Sequence, residues 1–180
     1  MRRLIALCGA PGAGKTEVQN YLRDTYGVLP VDDGHPLRDF AMRHLGLSKW
    51  HVSTQEGKAS MVFLPGGKTM TVREALGELG NRVEEVFGPD AIPEMALMQA
   101  GEPRAYSFGS VRRQQGRVYK ERGAIIIEVR RPGCVIVNEF DRYDPQYVDY
   151  VIDNNRTVEV LHRRVDYAIE ELLSKRFEHP

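Results

Sequence analysis

Apolar positions follow two rhythms along this chain: short unbroken runs, as in strands buried on both faces, and three-to-four-residue spacing, as along one face of a helix. The run Leu4 to Cys8 ends at Gly9 and predicts a buried parallel strand, after which Val18, Tyr21, Leu22 and Tyr26 fall on one helical face. Val28 to Val31 predicts a second strand, confined to an edge or an end by Pro30, which lacks the N–H that a central strand donates. Leu37, Phe40, Ala41, His44 and Leu45 restore the helical spacing, with Gly46 as its stop. Residues 51 to 70 break the alternation: Met61 to Leu64 and Lys68 to Thr71 flank Pro65-Gly66-Gly67, the pattern of a hairpin.

A helix is expected directly after the hairpin, because Thr71 and Glu74 form a capping-box pair. Val72, Ala75, Leu76, Leu79, Val83 and Val86 supply its apolar face as far as Gly88-Pro89. Ala105 to Phe108, Ala124 to Val129 and Tyr150 to Ile152 predict further core strands, separated by a helix-like stretch over 111–122 and by a lid-sized irregular segment. Val158, Leu161, Val165, Ala168, Ile169, Leu172 and Leu173 mark a last helix. Strands alternating with helices imply an α/β fold, a three-layer sandwich in which helices cover both faces of a mostly parallel five-stranded sheet. One domain over residues 1–180 is expected, with an inserted hairpin and helical region at about 32–100 and a lid-like segment at about 130–146.

Composition narrows the classes without choosing one. At 180 residues, 42% hydrophobic and 28% charged, the chain has enough apolar content for a core and too much for disorder. Its 25 Lys and Arg balance 25 Asp and Glu, so no overall positive field points to nucleic acid. Cys8 and Cys134 are too few and too far apart for a disulfide scaffold or a zinc site, which fits a reducing cytoplasm. No apolar run approaches the roughly 20 residues of a membrane span, and the N-terminal apolar stretch is too short for a secretory signal.

The chemistry concentrates between the first strand and the first helix. Gly9-Ala10-Pro11-Gly12-Ala13-Gly14-Lys15-Thr16 matches GxxxxGK[ST], the P-loop pattern, in the strand-to-helix setting the pattern requires. The glycines allow backbone N–H groups to converge on a phosphate chain, Lys15 reaches its β and γ groups, Thr16 offers a hydroxyl to Mg²⁺, and the helix start faces the anion. ATP or GTP is the expected ligand. No NKxD-type guanine-reading segment is present, and Val135-Ile136-Val137-Asn138-Glu139 only partly matches the acidic strand of AAA-type ATPases.

Later segments resemble phage-type deoxynucleoside monophosphate kinases, a branch of the P-loop kinases. The resemblance rests on GAPGAGKT, on HPLRDFAMRHLG from His35, on GGKTMTVREALGELG from Gly66, and on SVRRQQ, VRRPG and DNNRTVEVL in that order. It implies Mg²⁺-dependent transfer of the ATP γ-phosphoryl group to a deoxynucleoside monophosphate in a cytoplasm, that of a host if the chain is phage-encoded. It involves neither nucleic acid nor membrane, and it leaves a homodimer open. Arg73 and Arg112 match the T-x-R and D-V-R positions that would hold the acceptor phosphate, with Arg38 and Thr71 on the same side. Arg130 and Arg131 would reach the transferring group from the lid, and Asn154 and Asn155 would lie near adenine.

Two departures qualify the match. Ser110 stands where the family carries an acidic residue, and Gly116 stands where it carries a glutamate, so a metal-ordering carboxylate is missing from its usual place. Asp32 and Asp33 are the candidates to take over metal or substrate binding. His35 beside them lacks the ligand set of a zinc site, and Trp50, Tyr106 and Phe108 suit either base stacking or the core. A weakened nucleotide-binding regulator and a kinase of another small acceptor are the alternatives.

Overall fold

The computed structural model describes residues 4–101 and 104–177, with side chains described as far as Leu172. β1 (Leu4–Cys8) leads through the glycine loop into α1 (Lys15–Tyr26), followed by β2 (Leu29–Val31) and α2 (His35–His44). Two single-turn helices, α3 (Lys49–Ser53) and α4 (Gln55–Ala59), precede the hairpin of β3 (Met61–Leu64) and β4 (Lys68–Thr71). After α5 (Val72–Phe87) and α6 (Ala91–Met98), the chain returns to the sheet as β5 (Tyr106–Phe108), α7 (Gln115–Glu121) and β6 (Ile125–Arg130). β7 (Tyr150–Asp153) and α8 (Val158–Phe177) complete it.

The main sheet has the order β2-β5-β1-β6-β7, and each of its pairings is parallel. Pro30 sits in edge strand β2, where its missing N–H disrupts no second ladder. Successive residues of central β1 feed opposite cores, as the two-residue period of a strand demands. Leu4, Ala6 and Cys8 pack with Ala96, Leu97, Val118 and Tyr119 on the α6–α7 side, whereas Ile5 and Leu7 pack with Val18, Leu22, Leu161 and Val165 on the α1–α8 side. Both faces are therefore covered, and the open end of β1 is left for the glycine loop.

The segment between β2 and β5 carries an apolar cluster of its own, in which Ala41, Leu47, Val52, Leu64, Val72 and Ala75 are buried. A two-stranded hairpin is marginal alone, so this packing is what supports β3 and β4. Alternation along β3 turns Leu64 inward and leaves Met61 and Phe63 exposed. Thr71 caps α5 as its sequence implies: it accepts from the Glu74 N–H at 3.2 Å, while Glu74 accepts from the Thr71 N–H at 2.8 Å.

Several elements differ from the sequence pattern. Val135 to Asn138 form no strand, because Pro132-Gly133 turns the chain away from the sheet and Val135 and Val137 stay exposed. The helix over 111–122 shrinks to Gln115–Glu121, since Val111 to Arg113 form a loop in which Arg113 takes a positive φ of 44°. Tyr106 and Phe108 belong to the core, and Trp50 is half-exposed on α3.

Ile127 is fully buried at the middle of β6 in contact with the α1–α8 side. Ile127→Ala is expected to lower stability by roughly 2–5 kcal/mol, read from the midpoint of urea denaturation at unchanged slope.

Candidate active site

The glycine loop forms one end of a cavity of about 580 Å³ at the C-terminal edge of the sheet. That position, where strand order reverses beside β1, is where open α/β sheets hold ligands. Gly9, Gly12 and Gly14 have φ of 132°, 80° and 108°, which side-chain-bearing residues rarely adopt. Lys15 folds back over the loop and donates to the carbonyls of Gly9 at 2.6 Å and Ala10 at 2.9 Å. Burial and then the neighbouring Arg112 push its pKa down to about 8, with Asp141 acting in the opposite sense. Thr16 lines the same cavity from the first turn of α1.

Asp32 and Asp33 enter the cavity from the end of β2. Asp32 pairs with Arg38 and accepts from the Gly34 N–H at 3.1 Å, so it is committed to its own turn. Asp33 is 3% exposed, and its Oδ2 has no hydrogen-bond partner. Burial raises its pKa, while Arg112 and the backbone N–H of Ser110 pull the other way. A carboxylate thus lies beside residue 110, next to the position left without one. Position 116 has no room for a glutamate, because a Cβ there would stand 2.8 Å from that of Tyr147. Thr16 and Asp33 are hard oxygen donors on one cavity and fit Mg²⁺, which keeps waters and substrate phosphates as its other ligands. No cluster of three or more His, Cys, Asp or Glu suited to a metal occurs among the described residues, and His35 shows no ligand set.

The opposite wall is cationic. Arg38 on α2, Lys58 on α4, Arg73 on the first turn of α5 and Arg112 after β5 all line the cavity. Lys58 is pushed down to about 8, first by burial and then by Arg38, Arg73 and Arg112, and Arg38 falls to about 10 by burial and by Arg112. Asp141 lies against this wall, 3.1 Å from Arg112 Nε and 3.7 Å from Arg73 Nη1, and Arg73 also donates to Gln55 at 2.8 Å.

Other candidates lie elsewhere. The Thr71 hydroxyl is occupied in capping α5, which fixes Arg73 two residues on. The Arg130 guanidinium forks onto buried Glu128 at 2.5 and 3.0 Å, and with Arg131 it lines a separate cavity beside Ala10. Asn154 donates to the Ala13 carbonyl at 2.9 Å and so braces the glycine loop rather than presenting its amide to a base. Asn155 accepts from Arg164 at 2.9 Å and lines the cavity shared by Arg130 and Arg131.

Lys58, Gln55 and Asp141 escaped the sequence reading, as did Gln115, which accepts from the Arg112 N–H at 3.1 Å and donates to Glu84 at 2.9 Å. In the Ser110-Val111-Arg112-Arg113 run, the first three residues line the cleft. Arg113 turns away to Asn81 and Glu84 of α5.

No family model matches the chain, and comparison with curated proteins finds no match. Among solved structures, dephospho-CoA kinase from Campylobacter jejuni superposes with a TM-score of 0.54 at 14% identity, covering 98% of this chain and 100% of that one. A shikimate kinase from Acinetobacter baumannii (TM-score 0.49, 16% identity, 97% and 95% covered) and a gluconokinase from Sinorhizobium meliloti 1021 (TM-score 0.49, 13% identity, 99% and 98% covered) also align. The chain therefore has the P-loop α/β fold.

Phe140 is wedged against α5 at Gly80, between the guanidiniums of Arg112 and Arg113 at 5.0 and 4.9 Å from its ring centre. A Cβ at position 80 would collide with the ring. Gly80→Ala is expected to destabilise by about 1–3 kcal/mol despite the better helix propensity of alanine, measured by denaturant titration.

Proposed function

We propose that this protein transfers the γ-phosphoryl group of ATP to a deoxynucleoside monophosphate, giving the diphosphate. The gathering of Arg38, Lys58, Arg73 and Arg112 from four elements, across the cleft from the glycine loop, carries the reading. Two of these charges are offset by Asp32 and Asp141. The excess of two suits a phosphate monoester, which carries about −1.5 to −2 at neutral pH. The phage origin and cytoplasmic setting implied by the sequence resemblance belong to the same proposal.

Phosphoryl transfer between two anions asks the protein to align them and to neutralise charge, with little covalent work. In this reading the loop amides and Lys15 hold the donor phosphates, which draws Lys15 away from the Gly9 and Ala10 carbonyls. Arg73 and Arg112 orient the acceptor phosphate, and Arg38 and Lys58 complete its charge. Thr16 and Asp33 would hold Mg²⁺, which would help to offset the charge that develops on the donor phosphates. The unpaired Oδ2 of Asp33 favours one second reading, an acceptor that presents a hydroxyl together with an anionic group. A buried carboxylate can take a proton from an alcohol, a service that a phosphate acceptor does not need.

Purified protein incubated with ATP, Mg²⁺ and each of the four deoxynucleoside monophosphates is expected to form ADP and a deoxynucleoside diphosphate with at least one of them, above a Lys15→Ala control. Equality with the control for all four sinks the proposal, and turnover confined to phosphorylated alcohols selects the second reading.

The acceptor's charge should also be visible as protons. Burial and three arginines hold Lys58 at about 8, so an entering dianion favours its charged form and raises its pKa again. Acceptor binding is then expected to take up protons near pH 8 and to weaken as pH rises above that value. Calorimetry in buffers of different ionisation enthalpy measures the uptake, which Lys58→Met should reduce.

A further inference from the structure

Asp141 stands at the meeting point of two of the four cations. Its Oδ1 lies 3.1 Å from Arg112 Nε and its Oδ2 lies 3.7 Å from Arg73 Nη1. The two guanidiniums come from separate elements and would repel each other at this range without a carboxylate between them. All three side chains are largely enclosed, with exposures of 13% for Asp141, 18% for Arg112 and 27% for Arg73. Removing one partner of an enclosed pair leaves the other charge poorly solvated, so the grouping holds together.

The carboxylate is itself fixed. Asp141 ends a short turn, Glu139–Asp141, whose start is capped by the Asn138 side chain accepting from the Phe140 N–H at 2.9 Å. Phe140 anchors that turn against α5, as described above. Asp141 belongs to the irregular stretch that leaves β6 beside the glycine loop, where the Cys134 sulfur lies 3.6 Å from the place a Cβ on Gly12 would take. Arg112 donates to Asp141 through Nε, and its guanidinium lies over the Phe140 ring, 5.0 Å from the ring centre.

We propose that Asp141 is a positioning residue that holds Arg73 and Arg112 as one two-armed clamp for the acceptor's phosphate. The inference rests on the acceptor assignment made above. Two long side chains that are ordered before the ligand arrives lose less freedom when it binds. The clamp also keeps the pocket's charge matched to a single phosphate group: without the carboxylate the wall gains a further uncompensated charge and its two arginines separate.

Asp141→Asn preserves shape and removes the charge. It is expected to raise the acceptor KM by ~10-fold or more, equivalent to about 1.4 kcal/mol, with a smaller change in kcat and an ATP Kd within about twofold of the native value. Asp141→Glu should recover part of the loss. A second readout needs no turnover: the Arg112 Nε–H resonance in ¹H–¹⁵N spectra, expected to be protected from exchange in the native protein and to lose that protection in Asp141→Asn. An unchanged resonance overturns the proposal, as does an unchanged acceptor KM. A lowered KM also overturns it, because the carboxylate would then be competing with the acceptor. If the native protein phosphorylates no monophosphate, the functional reading fails while the Arg112 resonance still decides whether Asp141 positions the clamp.

Discussion

Bringing four cations to one half-enclosed wall is the constraint around which the rest of this molecule is arranged. Like charges in a cleft of reduced dielectric repel strongly, and burial alone already penalises each of them. Lys58 and Arg38 register that penalty as lowered pKa values. The fold tolerates the concentration because each side chain is carried by a separately stabilised element. Arg38 rides on α2 and Arg73 on the Thr71-capped α5, which share one small apolar cluster, and Lys58 rides on the Thr54-capped α4. Arg112 is held instead by its neighbours: Gln115 takes its N–H, and Arg113, in a left-handed conformation, reaches Asn81 and Glu84. A sparsely populated backbone geometry beside a functional candidate is the kind of local strain that a surrounding network has to sustain.

The sheet supplies the other half of the arrangement. Parallel strands on both sides of β1 place the glycine loop at a reversal of strand order, and the segment between β2 and β5 folds over the same edge. The glycine loop and the cationic wall thus line one cavity. The chain from β6 to β7 skirts both ends, lining the cavity beside Ala10 with Arg130 and Cys134 and meeting the cationic wall with Asp141.

Most of the architecture was legible because it depends on periodicity and on local turn chemistry. The run Leu4 to Cys8, the Thr71 and Glu74 pair and the spacing along the last helix each declare an element, and each is present. Leu173 of that last helix lies outside the described side chains. α3 and α4 were invisible because a single turn is too short to show a period, and α6 because its Ile92, Pro93, Ala96 and Leu97 are buried in a run with little contrast. At the site, the glycine loop was readable from its spacing alone. Which of Arg112 and Arg113 enters the cleft was not, since both are arginines in one loop and a single backbone angle separates their fates. Asp141 and Lys58 lay in segments without a distinguishing pattern, and only the tertiary arrangement brings them to the arginines. Arg130 fell on the expected strand end but faces a carboxylate two residues away, a local pairing that an alternating strand permits on one face.

The contact between Gly116 and Tyr147 also limits what position 116 can carry. A glutamate introduced alone at position 116 would drive its side chain into a tyrosine already occupying that space. A carboxylate at position 116 therefore requires a second change, at Tyr147, to make room for it.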